Sequence, residues 1–141
     1  MIQQAASATP HTGSCLCGVV SYRIDGSLRD VVNCHCGQCR RFHGHFAAYT
    51  AAMRSKVTVR DDAHQLRWYS SSRKARRGFC GGCGSSLFWD EHGSELLRIA
   101  AGTLNQPTGL RTVAHIYAAD QGDYYVLTDE LDKRSQGLCD A

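Results

Sequence analysis

Seven of the eight cysteines in this 141-residue chain fall into three short clusters, and cysteines so spaced can bridge, ligate a metal or exchange electrons. The clusters are Gly13-Ser-Cys15-Leu-Cys17-Gly18, Cys34-His-Cys36-Gly-Gln-Cys39-Arg40-Arg41 and Phe79-Cys80-Gly-Gly-Cys83-Gly84. A Cys-x-x-Cys followed by Gly turns so that both thiolates aim at one ion, and the glycines let backbone N–H groups approach the sulfurs, which makes the third cluster the clearest zinc signal. Cys15 and Cys17 form a second two-ligand clip provided the strand bends between them. Together the two clips supply four thiolates, a closed tetrahedral set with no position left for a substrate, so this site is expected to be structural. Cys34, Cys36 and Cys39 supply only three, the ligand count of a catalytic zinc with a free fourth position. His35, His43 or His45 could instead close that site, although in an extended chain His35 should point away from the ion held by its neighbours.

The elements that position these clusters read as strands and turns. Gly occurs 14 times and Pro twice, and Val, Tyr, Thr and Ile sit in short runs broken by Gly, Ser, Asn and Asp. Strands are expected near Gly18–Ile24 (with Val20, Tyr22 and Ile24 on one face), Asp30–Asn33, Phe46–Met53, Lys56–Arg60, Gln65–Ser70, Ala75–Phe79, Ser86–Asp90, Leu96–Ala101 and Thr112–Tyr117. The one helical candidate is Gln38–Phe42. So many short strands in one small domain imply two packed antiparallel sheets, because a single open sheet would leave an apolar face uncovered. The fold class expected is therefore all-β. Trp68, Tyr69, Phe88 and Trp89 read as packing residues rather than a ligand-stacking surface. Residues 1–12 and 133–141 lack periodicity and are expected to be tails around a single domain at 13–132, with Cys139 outside the metal set.

Composition narrows the setting. The hydrophobic fraction of 43% and charged fraction of 21% suit a globular chain. No apolar run approaches the ~20 residues of a membrane span, and the first thirteen residues have neither the basic nor the apolar region of a signal peptide, so a cytoplasmic protein with no membrane partner is expected. In a reducing compartment, closely spaced cysteines read as metal ligands rather than bridges. The net charge of +3 is unevenly spread: residues 40–77 hold ten Lys and Arg against only Asp61 and Asp62. Seven thiolates binding two zinc ions would leave the loaded chain formally neutral, so a nucleic-acid partner is not expected from overall basicity. A thioredoxin-like role for Cys80-Gly-Gly-Cys83 lacks its βαβ context.

The order and spacing of the seven cysteines resemble the glutathione-dependent formaldehyde-activating (GFA) family, which includes centromere-protein-V-like members. The resemblance extends over Arg77-Gly-Phe79 before the third cluster and over Ile99-Ala-Ala-Gly102-Thr-Leu104. It implies an Mss4-like fold of two β-sheets with zinc knuckles, a structural zinc on Cys15, Cys17, Cys80 and Cys83, and a catalytic zinc on Cys34, Cys36 and Cys39. It also implies a carbon–sulfur lyase reaction, with glutathione and formaldehyde joined as S-hydroxymethylglutathione. Coordination would deprotonate a thiol whose free pKa is near ~8.5, or polarise the aldehyde carbonyl. Arg40 and Arg41, adjacent to Cys39, are the expected contacts for glutathione carboxylates, joined by Arg76 and Arg77 if their strand enters the same pocket; strand alternation lets only one of each pair face it. The family's C-terminal His, Trp and Pro run is replaced here by His115 and Tyr124-Tyr125, with no Pro after Pro107. The alternative is a zinc-stabilised binding module of centromere-protein-V type, which would use the basic stretch as a phosphate-facing patch. A methionine-sulfoxide-reductase-like enzyme would need a reactive cysteine beyond the ligands, and Cys139 alone remains.

Overall fold

A computed structural model describes residues 9–137, so Cys139 lies outside the described residues. Eleven strands and one short helix follow one another: β1 (His11–Ser14), β2 (Ser21–Ile24), β3 (Val31–Cys34), α1 (Gly37–His43), β4 (Ala47–Met53), β5 (Val57–Arg60), β6 (Leu66–Ser70), β7 (Ala75–Cys80), β8 (Ser86–Glu91), β9 (Leu96–Ala100), β10 (Thr112–Ile116) and β11 (Asp132–Lys133). They form two packed sheets, one of three strands in the order β1-β2-β5 and one of eight in the order β11-β10-β3-β4-β9-β8-β7-β6. The mostly β architecture and the helix after Cys36 agree with the sequence reading. Cys36 Sγ accepts the Cys39 N–H as the cap of α1, and Gly44, at φ 82°, ends the helix by returning its N–H to the Arg40 carbonyl.

Two expectations need correction. The larger sheet is mixed: β10 runs parallel to both β3 and β11, while its other pairs are antiparallel. Alternation of apolar residues reveals which face a strand buries but not its direction, and both connections are long enough for a parallel crossover. The boundaries at 13 and 132 also fall inside sheet pairing. His11 pairs with Ile24, Lys133 pairs with His115, and the Tyr117 N–H bonds the Gln136 carbonyl. These segments are short and polar because they are sheet edges, where one side of the strand meets water.

Strand alternation splits the large sheet into two environments. One face carries Ala52, Leu87, Phe88, Leu97 and Ile99, which pack with Val20, Tyr22 and Ile24 of the smaller sheet to make the main core. The expected inward triad of β2 is therefore present, and Tyr22 meets Phe88 edge-on with ring centroids 5.6 Å apart. Trp68 stacks on Phe88 beside this core. The opposite face carries Tyr49, Trp89 and Ala100, which pack with Cys34, Cys36 and Cys39 in a second cluster.

The two sheets approach so closely at β1 that a Cβ on Gly13 would overlap both the Tyr22 hydroxyl and the Thr103 carbonyl oxygen. The backbone oxygen cannot rotate away as a flexible side chain could. Gly13→Ala should therefore cost about 1–3 kcal/mol through forced displacement, read as a lower midpoint in chemical unfolding of the metal-loaded protein. An unchanged midpoint would mean that the sheets separate more easily there than this packing requires.

Candidate metal centre

Cys15 immediately follows β1 and Cys17 sits in the next turn, where the Cys15 N–H bonds the Val20 carbonyl and the Gly18 N–H bonds the Cys15 carbonyl. Gly18 adopts φ 82°, the left-handed conformation that lets the chain reverse there. That is the bend a Cys-x-Cys clip requires. Cys80 ends β7 and Cys83 lies in the β7–β8 turn, closed by the Gly84 N–H on the Cys80 carbonyl. The two turns are tied directly by the Leu16 N–H on the Ser85 hydroxyl.

This brings Cys15, Cys17, Cys80 and Cys83 together with all four sulfurs within 4.8 Å of one another. Cys15 and Cys17 sulfurs are 3.6 Å apart, and those of Cys17 and Cys80 are 3.9 Å apart. A tetrahedron with Zn–S bonds of ~2.3 Å has edges of about 3.8 Å, so these spacings suit a metal–thiolate set. Backbone N–H groups support the sulfurs, from Val20 to Cys15 and from Gly82 to Cys80. The Ser85 hydroxyl is the main cause that pulls the Cys83 thiol down to about 5. All seven described cysteines are free thiols.

The second group is local. Cys34 ends β3, Cys36 caps α1 and Cys39 lies in its first turn, again with all sulfurs within 4.8 Å. Hydrogen bonds from the Cys34 thiol, and then from Cys39, pull the Cys36 thiol down to about 2. The Cys34 thiol, on the donating side, is pushed far above its ordinary range. Among the described residues no His, Asp or Glu joins this group. His35 is fully buried with both ring nitrogens engaged, Nδ1 at 2.6 Å from the Tyr125 hydroxyl and Nε2 at 2.8 Å from His115 Nδ1. His43 meets the Tyr49 hydroxyl and His45 the Tyr124 hydroxyl.

The His35 contacts extend into a chain of four groups, because His115 Nε2 lies 2.9 Å from the Asp129 carboxylate. Burial, then the adjacent His115, lowers the His35 pKa to about 4, so its imidazole is neutral at pH 7. A neutral imidazole has one donor and one acceptor, so in the tautomer where His35 Nε2–H donates to His115 Nδ1, the Tyr125 O–H donates to His35 Nδ1 and His115 Nε2–H donates to Asp129. The segment after β10 is thereby bound to the loop that carries Cys34 and Cys36. Sequence reading noted His115 and Tyr125 only as departures from a family pattern. Nothing local to either residue reveals partners some 80–90 positions away.

The three sulfurs of the second group lie at the wall of a cavity of about 560 Å³, within the range of small-ligand sites. Tyr49, Trp89 and Tyr117 provide aromatic walls, so Trp89 lines the cavity in addition to packing, whereas Tyr69 is exposed. Of the four arginines expected here, Arg77 alone lines the cavity. Arg76, on the other face of β7, bonds the buried Asp90 at 2.8 Å and lies over the Trp68 ring. Arg40 and Arg41 are absent from the lining, and Arg41 is exposed on α1. Arg29 and Arg98 line the cavity instead. Arg98 carried a usable signal: in the apolar run Leu96–Ala100, alternation places it opposite Leu97 and Ile99. Arg29, in the turn before β3, carried none.

The comparisons with known proteins fit this arrangement. A solved structure of a Rhodobacter sphaeroides protein matches with a TM-score of 0.59 and 25% identity, over 72% of this chain and 97% of its own. Among curated proteins none matches. No helix of the described residues is long and apolar enough to cross a membrane. Residues 10–120 match the family described as glutathione-dependent formaldehyde-activating enzyme, a span that contains all seven clustered cysteines. With most of its length inside that match, the chain belongs to the glutathione-dependent formaldehyde-activating enzyme family.

Proposed function

We propose that the protein is a zinc-dependent carbon–sulfur lyase that forms or cleaves a thiol–aldehyde adduct such as S-hydroxymethylglutathione, in the cytoplasm. The observation that carries this reading is the contrast between the two sulfur groups: four converge at a junction between turns, whereas three converge at the wall of a cavity. Cys15, Cys17, Cys80 and Cys83 would hold a structural zinc, and Cys34, Cys36 and Cys39 a catalytic one. A zinc ion with three protein ligands would supply an acidic centre able to stabilise a substrate thiolate or polarise a carbonyl.

In the forward direction the substrate sulfur bonds to the aldehyde carbon, the carbon–oxygen double bond becomes single, and the thiol proton ends on that oxygen. The chain's own part is to bind and orient the thiol in the cavity. Glutathione bears two carboxylates and one ammonium group. Arg29 and Arg98 in the cavity suit the carboxylates, and Glu91 and Asp120 suit the ammonium. Arg98 is itself steadied by Glu91 at 3.5 Å and by the Trp89 ring below it, which leaves a planar donor group held in one orientation. Within the basic stretch, Arg54 and Arg76 both bind Asp90 and Arg77 is buried, so these three charges are engaged by the fold itself.

Elemental analysis of freshly purified protein should find about two zinc ions per chain. Cys80→Ser should remove the junction between distant turns and, because structural zinc contributes on the order of 10 kcal/mol, much of the cooperative fold. Cys36→Ser should leave a folded protein with one tightly held ion, since its three ligands lie within a six-residue stretch. Thermal melts that rank the two variants equally would overturn the division into structural and catalytic sites.

Glutathione added to cobalt-substituted protein should change the ligand-field spectrum of one of the two sites and saturate. Arg98→Gln should weaken this binding by roughly 1.5–3 kcal/mol, the range for hydrogen bonds to charged groups. Arg40→Gln and Arg41→Gln, placed outside the cavity, should leave it unchanged. A spectrum indifferent to glutathione would remove the proposed open position.

A further inference from the structure

Arg77 and Arg76 are neighbours on β7 with opposite fates. Arg76 is partly exposed and has a carboxylate partner in Asp90. Arg77 is 2% exposed, and among the described residues no carboxylate lies within ion-pair distance of it. Both its terminal nitrogens donate instead to the Cys39 sulfur, each at 3.7 Å, and one also reaches Gln38 Oε1 at 3.4 Å. Its Nε–H is buried without a partner, and the guanidinium stands 5.4 Å from the Phe42 ring.

A guanidinium stripped of water needs a counter-charge close by. Here the negative groups within reach are the thiolates of the second sulfur group. Three thiolates and one divalent cation sum to a single negative charge, which one guanidinium cancels. A fourth ligand that arrives as an anion then joins a neutral assembly rather than a negative one. A neutral ligand gains nothing from this cancellation. The two-point contact with one sulfur also fixes Cys39 relative to β7, which otherwise belongs to a distant part of the chain.

We propose that Arg77 is the counter-ion and positioning residue of the Cys34–Cys36–Cys39 centre, and that its buried charge makes the fourth position prefer an anionic ligand such as a thiolate over a neutral one. The inference rests on the open three-thiolate site proposed above. It assigns Arg77 to the sulfurs and leaves substrate carboxylates to other residues.

The test uses the full chain loaded with cobalt, titrated at one pH with 2-mercaptoethanol, which lacks carboxylates, and separately with imidazole. Arg77→Gln should raise the dissociation constant of the thiol roughly 10- to 100-fold, while that of imidazole stays within about threefold. Arg77→Lys, which keeps the charge but loses the two-point contact, should recover most of the thiol affinity. A purely structural Arg77 would weaken both ligands alike, and that result, or an unchanged thiol affinity, would overturn the proposal. If Arg77→Gln does not fold, Arg77→Lys carries the test alone: its preference for thiol over imidazole should stay within about threefold of the unsubstituted protein, and loss of that preference overturns the proposal. A wild-type spectrum that responds to neither ligand would instead remove the open position and this inference with it. A wild-type response that Arg77→Gln leaves intact would remove Arg77's role alone.

Discussion

Four sulfurs meeting between two turns set the frame on which the remaining structure depends. Cys15 and Cys17 come from the turn after β1, Cys80 from the end of β7 and Cys83 from the turn that follows it, so the junction joins the smaller sheet to the larger one across more than sixty residues of sequence. The three-stranded sheet is too small to bury an apolar face alone. It is held against the larger sheet by this junction at one end and by the Tyr22–Phe88 contact in the core. Each half of this junction is made possible by a local detail, a left-handed glycine at Gly18 or Gly84 that reverses the chain within a few residues.

With that frame in place, the larger sheet serves two purposes through simple alternation. Residues at one parity face the core, as Leu97 and Ile99 do on β9. Their neighbours at the other parity face the cavity, as Arg98 does. The same division on β7 sends Arg76 to Asp90 and Arg77 to Cys39. A one-residue change of register would exchange the two sets and destroy both the core and the cavity. The bulge at Gly78/Phe79 lies just beyond Arg77, and Gly78 is flanked so closely by Trp68 and Phe88 that no side chain fits without displacement.

The cavity is completed by a part of the chain that has little regular structure. Tyr117 adopts φ 53°, a left-handed conformation unusual for a residue with a side chain, and stands at the cavity wall. Behind it, the chain from Tyr125 through His35 and His115 to Asp129 binds this segment to the loop of Cys34 and Cys36. Each imidazole uses both nitrogens, so the network satisfies buried polar groups while excluding His35 as a metal ligand. The histidine placed between two cysteines in sequence thus serves to hold the loop in place.

The sequence by itself determined nine of the eleven strands, the helix after Cys36, the inward face of β2 and the division of seven cysteines into four and three. These are local matters: alternation follows from a two-residue period, and ligand pairing from spacing within a few residues. It did not determine strand direction, since β10 has the same alternation whether parallel or antiparallel to β3. It placed the edges of the fold too far inward, because edge strands carry the polar residues of a tail. Above all it misplaced the arginines. Adjacency to Cys39 in sequence suggested Arg40 and Arg41, and Arg76 turns to Asp90, whereas the cavity takes the expected Arg77 together with Arg29 and Arg98 from distant segments. Which cation faces a site depends on which strands lie side by side, a relation that exists only once the chain has folded.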